Sequence, residues 1–574
     1  MRRIVAPLTS LAFICAVALA AVAQNPPVPA PTAPVNPPVI PTPPAPVTTM
    51  SPAPGQPTPP GASPQPGESP APGESPAPGE SPSPLATPTP PPIVVEPPQV
   101  SVEPSKTVAA RLNSTLGTVT AAVADATIAT AVVDQAQRVL YVTGVKVGTT
   151  TITVTDSRGV TRDVPVVVAY AAGAAADETT LRVTGNPASA QYLREVVAEA
   201  VTNAATHRSG ASVNVVPDTI PVRGDLSTDN RVEIDVQVQI SGSGYLPVNG
   251  LTRVIVENTA LPPIQPARLL VSDYPERLTA NGVLFTARLD RTQAQRFLYY
   301  HYNPGTEPAR RILLKAANTS NAPAMVQMID GDAGPGTNEM EVGHLSTKRF
   351  LVRSARNEGR VVTIPPGATI NLVDHPLPPQ DVVSAIMQLR LVTGDPVQLA
   401  LIAQDALAPL DQTIDESQLL AGGAPHARGV YPVPTFYFTN NYDIDGPDLD
   451  IPIGQLPLPN LRQGEALSGD YGVEQVLEVT ITNRTRGPRA IALYANPRGG
   501  RATGTFLIDG TVVQAHALPA FSRFKIWQET IRAGTFRFIR VITVPEGGSS
   551  YPMRLTFAQD DGSIAPGAPG SPIY

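Results

Sequence analysis

The densest run of hard oxygen atoms is Asn441-Tyr442-Asp443-Ile444-Asp445-Gly446-Pro447-Asp448-Leu449-Asp450. Calcium needs several such oxygens on one ion, and the spacing of Asp443, Asp445, Asp448 and Asp450 begins like a calcium loop. The position where a bidentate Glu belongs is Pro452. The four carboxylates are therefore a calcium candidate set against a plainer reading, an Asp/Gly/Pro turn. The six histidines, His207, His301, His344, His375, His426 and His516, are scattered without metal-ligand spacing. His301 stands out because Tyr299, Tyr300 and Tyr302 could bury it. Glu233 and Asp235 share a strand face, but Gln237 and Gln239 continue the row, so that face reads as solvated. No nucleophile elbow, phosphate loop, dinucleotide fingerprint or zinc-protease motif occurs. The glycines of Gly331-Asp332-Ala333-Gly334-Pro335-Gly336 and Gly547-Gly548-Ser549-Ser550-Tyr551-Pro552 suit turns, not phosphate, because no helix start or Lys follows them. No catalytic residue and no cofactor other than that calcium ion is assigned, and the expectation is a protein without catalysis.

The 574 residues allow three to five domains. Only 16% are charged, the net charge is −7, and aromatics are 5%. That balance lacks the basic footprint nucleic acid requires. Close to half of the 67 prolines fall in the first 100 residues. Residues 1–23 read as a signal peptide: Arg2 and Arg3, an apolar stretch over residues 11–20, then Ala21-Val22-Ala23 before Gln24. The only cysteine, Cys15, lies inside it, preceded by Ile14, which does not suit lipidation. A chain cleaved there has no thiol, hence no disulfide and no thiolate metal site. With only five lysines against many arginines, this reads as a bacterial exported protein. No later apolar run reaches spanning length.

Residues 24–99 read as a disordered, Pro-rich tether, with PGESPA repeated at 66–71 and 72–77. Residues 100–172 then show short β-branched strands punctuated by Gly144, Gly148 and the Asp156-Ser157-Arg158-Gly159 turn, the pattern of a small sandwich. The segments Val123-Ala124-Asp125-Ala126-Thr127-Ile128-Ala129, Val139-Leu140-Tyr141-Val142-Thr143-Gly144 and Val147-Gly148-Thr149-Thr150-Thr151-Ile152-Thr153-Val154 carry a resemblance. This stretch resembles bacterial Ig-like domains of the BIG2 type, and is especially similar to the N-terminal domain of pilus-assembly secretins. The resemblance implies an Ig-like fold and an envelope setting. No secretin core follows, so channel formation is not implied.

Residues 178–264 read as a small α/β domain. Asn186-Pro187 is expected to cap and open a helix carrying Tyr192, Leu193, Val196, Val197 and Val201, with Gly210 closing it. Val232, Ile234, Val236, Val238 and Ile240 alternate with polar residues, the period of a half-buried strand. Residues 267–407 and 430–560 read as two copies of a β-sandwich, joined by a linker at 408–429. Each has a strand ending in an Asn-polar turn: Asn318-Thr319-Ser320 and Asn483-Arg484-Thr485. Both are expected to fold autonomously. A flexible tail is expected at 561–574.

The fold class is thus mainly β and multidomain: Ig-like sandwiches in tandem with one small α/β domain after a disordered segment. The function expected is a structural or adhesive protein of the bacterial cell envelope, surface-exposed, secreted or periplasmic. The alternative is a periplasmic accessory of a pilus or secretion system. Its partners are expected to be proteins or envelope material and not nucleic acid.

Overall fold

A computed structural model describes residues 90–409, 413–423 and 426–562. The segments expected as signal peptide, tether (up to residue 89) and tail (from 563) lie outside the described residues. What is described is mainly β, with two α-helices: α1, Ala190–Ala204, and α2, Glu339–Ala355.

The first sandwich pairs two four-stranded sheets. One runs Val94–Glu96, Thr107–Asn113, Val139–Gly144, Ala129–Asp134. The other runs Val100–Val102, Thr161–Val168, Gly148–Thr155, Thr120–Val123. Alternate residues such as Leu140, Val142, Ile152, Val154, Val164 and Val166 fill its core. It begins earlier than residue 100. Val94–Glu96 pairs with Arg111–Asn113, and Ile93 and Val95 are buried. The tether's one apolar run, Ile93-Val94-Val95, supplies side chains that a Pro/Ser/Gly segment lacks, so it joins the core. The shared motifs have local causes. Asp125 Oδ1 accepts from both Thr127 N–H (2.9 Å) and Thr127 Oγ1 (2.6 Å), closing the turn before the strand. A Cβ on Gly144 would meet the Glu103 carbonyl at 2.5 Å.

The α/β segment and the sandwich expected after it share one ten-stranded sheet. Its order is Ala211–Asn214, Arg231–Gly242, Val248–Asn258, Glu178–Thr184, Gly359–Ile364, Ala324–Gly336, Val382–Thr393, Ala294–Tyr302, Pro266–Ser272, Arg428–Tyr431. The join is antiparallel pairing of Val183 and Thr184 with Arg360 and Gly359. The boundary near 264 thus cuts through a hydrogen-bonded ladder, and Arg428–Tyr431, expected at the linker's end, is a strand of the same sheet. Such pairing depends on long-range partners that local patterning does not reveal. A four-stranded sheet, Gly282–Leu289, Val397–Asp405, Arg310–Ala317, Thr369–Leu377, packs with it around Leu314, Phe297, Met387 and Leu401.

Helix α1 buries Tyr192, Leu193, Val196, Val197 and Val201, as its period requires. Its start differs from expectation. Ser189, not Asn186, caps it: the Ser189 side chain accepts from Tyr192 N–H. It ends at Ala204, before Gly210, whose φ of +79° serves a later turn. Helix α2 lies where only strands were expected. Its buried face mixes Val342, Phe350 and Leu351 with Gly343, His344, Ser346 and Thr347, so its apolar stripe is broken.

The last sandwich joins a five-stranded sheet, Thr435–Asp443, Glu474–Thr482, Phe536–Thr543, Ala502–Ile508, Thr511–Leu518, to a four-stranded one, Leu449–Ile453, Met553–Gln559, Arg489–Pro497, Phe524–Ile531. The twin Asn turns are built alike. Asn318 Nδ2 donates to the carbonyls of Ala322 and Ile364, and Asn483 Nδ2 to those of Gly487 and Ile531. Each Oδ1 accepts from the N–H and hydroxyl two residues on, at Ser320 and Thr485. Autonomous folding fares less well. Leu269, Leu298, Ile329, Phe350 and Leu351 share a buried cluster with Leu458, Leu467, Val473 and Val544. Cutting between the sandwiches would bare apolar surface on both sides.

Candidate functional site

The four candidate calcium ligands do not converge. Asp443 pairs with Arg484 at 3.5 Å, Asp448 with Arg523 at 3.9 Å, and Asp450 with Arg554 at 3.0 Å. Asp450 also accepts from Thr556 Oγ1 at 2.6 Å. Asp443 ends one strand and Asp450 lies in another, of the opposite sheet, so pleat and sheet identity spread the set. No group of three metal-type side chains gathers anywhere among the described residues. Glu233 and Asp235 are exposed, each beside an arginine, Arg231 and Arg253.

His301 is fully buried. Its Nδ1 bonds the Pro275 carbonyl at 2.9 Å and its Nε2 the Ser272 hydroxyl at 3.2 Å. Burial pushes its pKa down to about 4, so it is neutral at ordinary pH.

Four other histidines, His344, His375, His426 and His516, enter clusters that their spacing concealed. His344 on α2 meets Glu546 of the last sandwich at 2.8 Å, and neither side chain is exposed. Glu546 also accepts from Thr503 Oγ1, which lies 2.6 Å from Ser549 Oγ. His344 Nε2 faces Gln514 Oε1 at 3.2 Å, and the His516 ring sits 4.5 Å away, edge on. Burial alone would lower the His344 pKa, but the Glu546 carboxylate outweighs it and raises it. Imidazole, carboxylate and hydroxyl are all present, yet sealed from solvent. The group clasps α2 to the last sandwich. Gly343 allows it, since a Cβ there would overlap the Gly547 carbonyl.

An open polar cleft of about 1060 Å³ lies between α1 and the strand Thr369–Leu377. His375 links Tyr299 (3.1 Å) to Asp332 (2.9 Å) at its wall. Burial would raise the Asp332 pKa, but His375 holds the carboxyl well below the usual range. Arg360 bonds Glu199 on α1 and reaches Asp330 at 2.7 Å, while Arg353 on α2 reaches Asp330 at 2.6 Å and Glu195 at 2.8 Å. This network fastens both helices to the ten-stranded sheet.

The first sandwich offers a different kind of site. On one sheet face, Ala109, Tyr141 and Val132 stand in register across three strands, all exposed, Val132 by 67%. Ala129–Asp134 is an edge strand, whose outer N–H and C=O groups are a template for another chain. Val145 and Val147 are exposed beside the turn that follows.

Residues 96–169 match the family described as pilus formation protein N terminal region. The segment similar to pilus-assembly N-terminal domains in its motifs is thus recognised as such, and the chain carries a domain of this type. No curated protein matches the chain. Among solved structures, domains 5-6 of the S-layer protein SbsC are 18% identical, covering 29% of this chain and 97% of theirs, with a TM-score of 0.14. Yersinia pseudotuberculosis InvD is 12% identical, covering 53% and 85%, with a TM-score of 0.12. Drosophila N-cadherin EC1-4 is 11% identical, covering 28% and 48%, with a TM-score of 0.12. At these TM-scores the likenesses carry no argument about this chain.

Proposed function

We propose that the protein is a non-catalytic accessory of a pilus or secretion assembly in the bacterial envelope, with its first sandwich as the docking module. The family match over residues 96–169 carries the reading. The exposed Ala109–Tyr141–Val132 row and the free edge Ala129–Asp134 support it, since a sheet face and edge can take a partner strand. The two helices and the long sheet serve, in this reading, as a rigid body that the module anchors.

The test compares three strains: a gene deletion, a deletion of residues 90–170 alone, and a Val132→Asp/Tyr141→Asp variant. Each is scored for assembled pili and for secreted protein. Loss of assembly in all three, with normal levels of the variant protein, is the expected result. Normal assembly in the gene deletion refutes the reading. Loss of surface attachment with pili intact would favour an adhesive envelope protein instead.

A further inference from the structure

A second cavity, of about 410 Å³, lies where the middle of the chain meets the last sandwich. Its polar wall is acidic: Asp273, Glu276 and Glu339 line it, and no Lys or Arg does. His426 is the one nitrogen base present. Its Nδ1 lies 3.3 Å from Asp273 Oδ2 and its Nε2 2.7 Å from Glu276 Oε2. Even with His426 protonated, three carboxylates face one positive charge. The aromatic wall is Tyr300, Tyr471 and Tyr551.

Two acceptors are left over. Tyr300 is only 5% exposed, and its hydroxyl has no hydrogen-bond partner. Tyr300 shares the cavity wall with Glu339, Glu276 and Asp273, and burial, reinforced by their charges, keeps its hydroxyl protonated. Asp273 Oδ1 is likewise buried without a partner. Burial pushes the Asp273 carboxyl up to about 6, against the pull of His426. A buried acceptor without a donor is costly, and such groups are normally satisfied.

The backbone is shaped to the cavity. A Cβ on Gly547 would come within 2.8 Å of the Tyr300 ring. Gly548 sits at φ +72°, where a Cβ would also press on the Glu339 carbonyl at 2.5 Å. The Gly547-Gly548 pair thus lets the last sandwich close down on Tyr300 and the start of α2.

The ligand chemistry follows. An anion is repelled by three carboxylates. A metal ion lacks a converging set, because Asp273 and Glu276 sit on opposite nitrogens of the His426 ring. A flat or compact organic cation suits both halves of the wall: its N–H groups donate to Asp273 and Tyr300, and its charge faces the carboxylates and the aromatic rings. We propose that this cavity binds a guanidinium or ammonium head group, presented by a basic side chain of a partner protein or by a free small amine. The site is independent of the docking role given to the first sandwich.

The test is calorimetric titration of the full protein at pH 7.5 and low salt. The probes are N-acetyl-arginine methylamide, agmatine, and the neutral N-acetyl-citrulline methylamide. The arginine probe or agmatine should bind once per chain, and the citrulline probe should not. Asp273→Asn should weaken binding about tenfold or more, as loss of a hydrogen bond to a charged group does. Tyr300→Phe, which keeps the packing, should weaken it roughly threefold to tenfold. Melting curves confirm that both variants fold. Agmatine binding as well as the arginine probe identifies a free amine as sufficient; binding of the arginine probe alone identifies a side chain in peptide context. Equal binding of the citrulline probe, absence of binding by both cations, or full affinity in a folded Asp273→Asn protein overturns the proposal.

Discussion

Replacing Glu546 with alanine tests the clasp between α2 and the last sandwich. The side chain is fully buried against His344, Thr503 and, through it, Ser549. Alanine keeps Cβ, so one buried methylene of Glu546 is lost, worth about 0.8 kcal/mol. Its charge-assisted bond to His344 adds about 1.5–3 kcal/mol. His344 can shed its proton once the carboxylate is gone, which avoids a stranded buried charge and keeps the total near 2–4 kcal/mol, toward or below the low end for a broken buried pair. The assay is urea unfolding followed through Trp527, the only tryptophan, which packs against the last sandwich's own core. The Trp527 transition should move to lower urea by that amount. The His344→Leu/Glu546→Leu pair should recover much of it, because an apolar pair of similar volume avoids desolvating two charges. A loss below about 1 kcal/mol, or a double variant no better than the sum of the two single losses, refutes the reasoning.

Three further outcomes are expected. His301 has a folded pKa of about 4 against 6.5 unfolded, so its contribution is complete above pH 6.5. It is lost as pH falls toward 4, because only the unfolded chain then takes the proton, at a cost of about 3 kcal/mol. His301→Gln should lack that component, and parallel stability curves for variant and wild type from pH 7 to 4 would refute it. Asn318→Ala and Asn483→Ala should each cost about 1–3 kcal/mol of stability in urea unfolding, since each takes the amide donor from the buried Ile364 or Ile531 carbonyl, while Ala322 and Gly487 keep the Ser320 and Thr485 hydroxyls; a loss under about 0.5 kcal/mol would mean that water replaces the amide. EDTA should shift the melting midpoint by less than about 1 °C, because a ligand that held the folded state would stabilise it by mass action. A fall of several degrees would restore Asp443, Asp445, Asp448 and Asp450 as metal ligands.

What could be read without the structure was local. The alternation from Val232 to Ile240 became the strand Arg231–Gly242, and the apolar period around Leu193 became α1. The twin Asn turns close locally, through Oδ1 to the residue two on and Nδ2 to the residue four on, so their motifs are visible, as is that of the Ig-like stretch. Helix α2 was missed because the apolar residues of its buried face, Val342, Phe350 and Leu351, are interrupted by the equally buried Gly343, His344, Ser346, Thr347 and Arg353. A signal did exist: Asn338 caps it, Glu339 and Glu341 occupy the first turn, and Arg353 the last. The ten-stranded sheet was missed because its joins link segments far apart. The cation cavity and the clasp were missed for the same reason. His426 meets Asp273, and His344 meets Glu546, only after the sheet has folded. The Asp443 run misled because spacing alone does not say on which sheet each carboxylate stands.

The position of Glu178–Thr184 inside the ten-stranded sheet sets an order of events during synthesis. The first sandwich has all its strands within residues 94–168 and can close as soon as they are made. Glu178–Thr184 can pair on one side with Val248–Asn258, but its other side waits for Gly359–Ile364. Until the ribosome has passed that point, the growing chain holds an open strand edge beside an assembled apolar layer. Such an edge invites pairing with the same edge of another nascent chain. Slowing translation between residues 260 and 360 should therefore raise aggregation while leaving the finished fold unchanged.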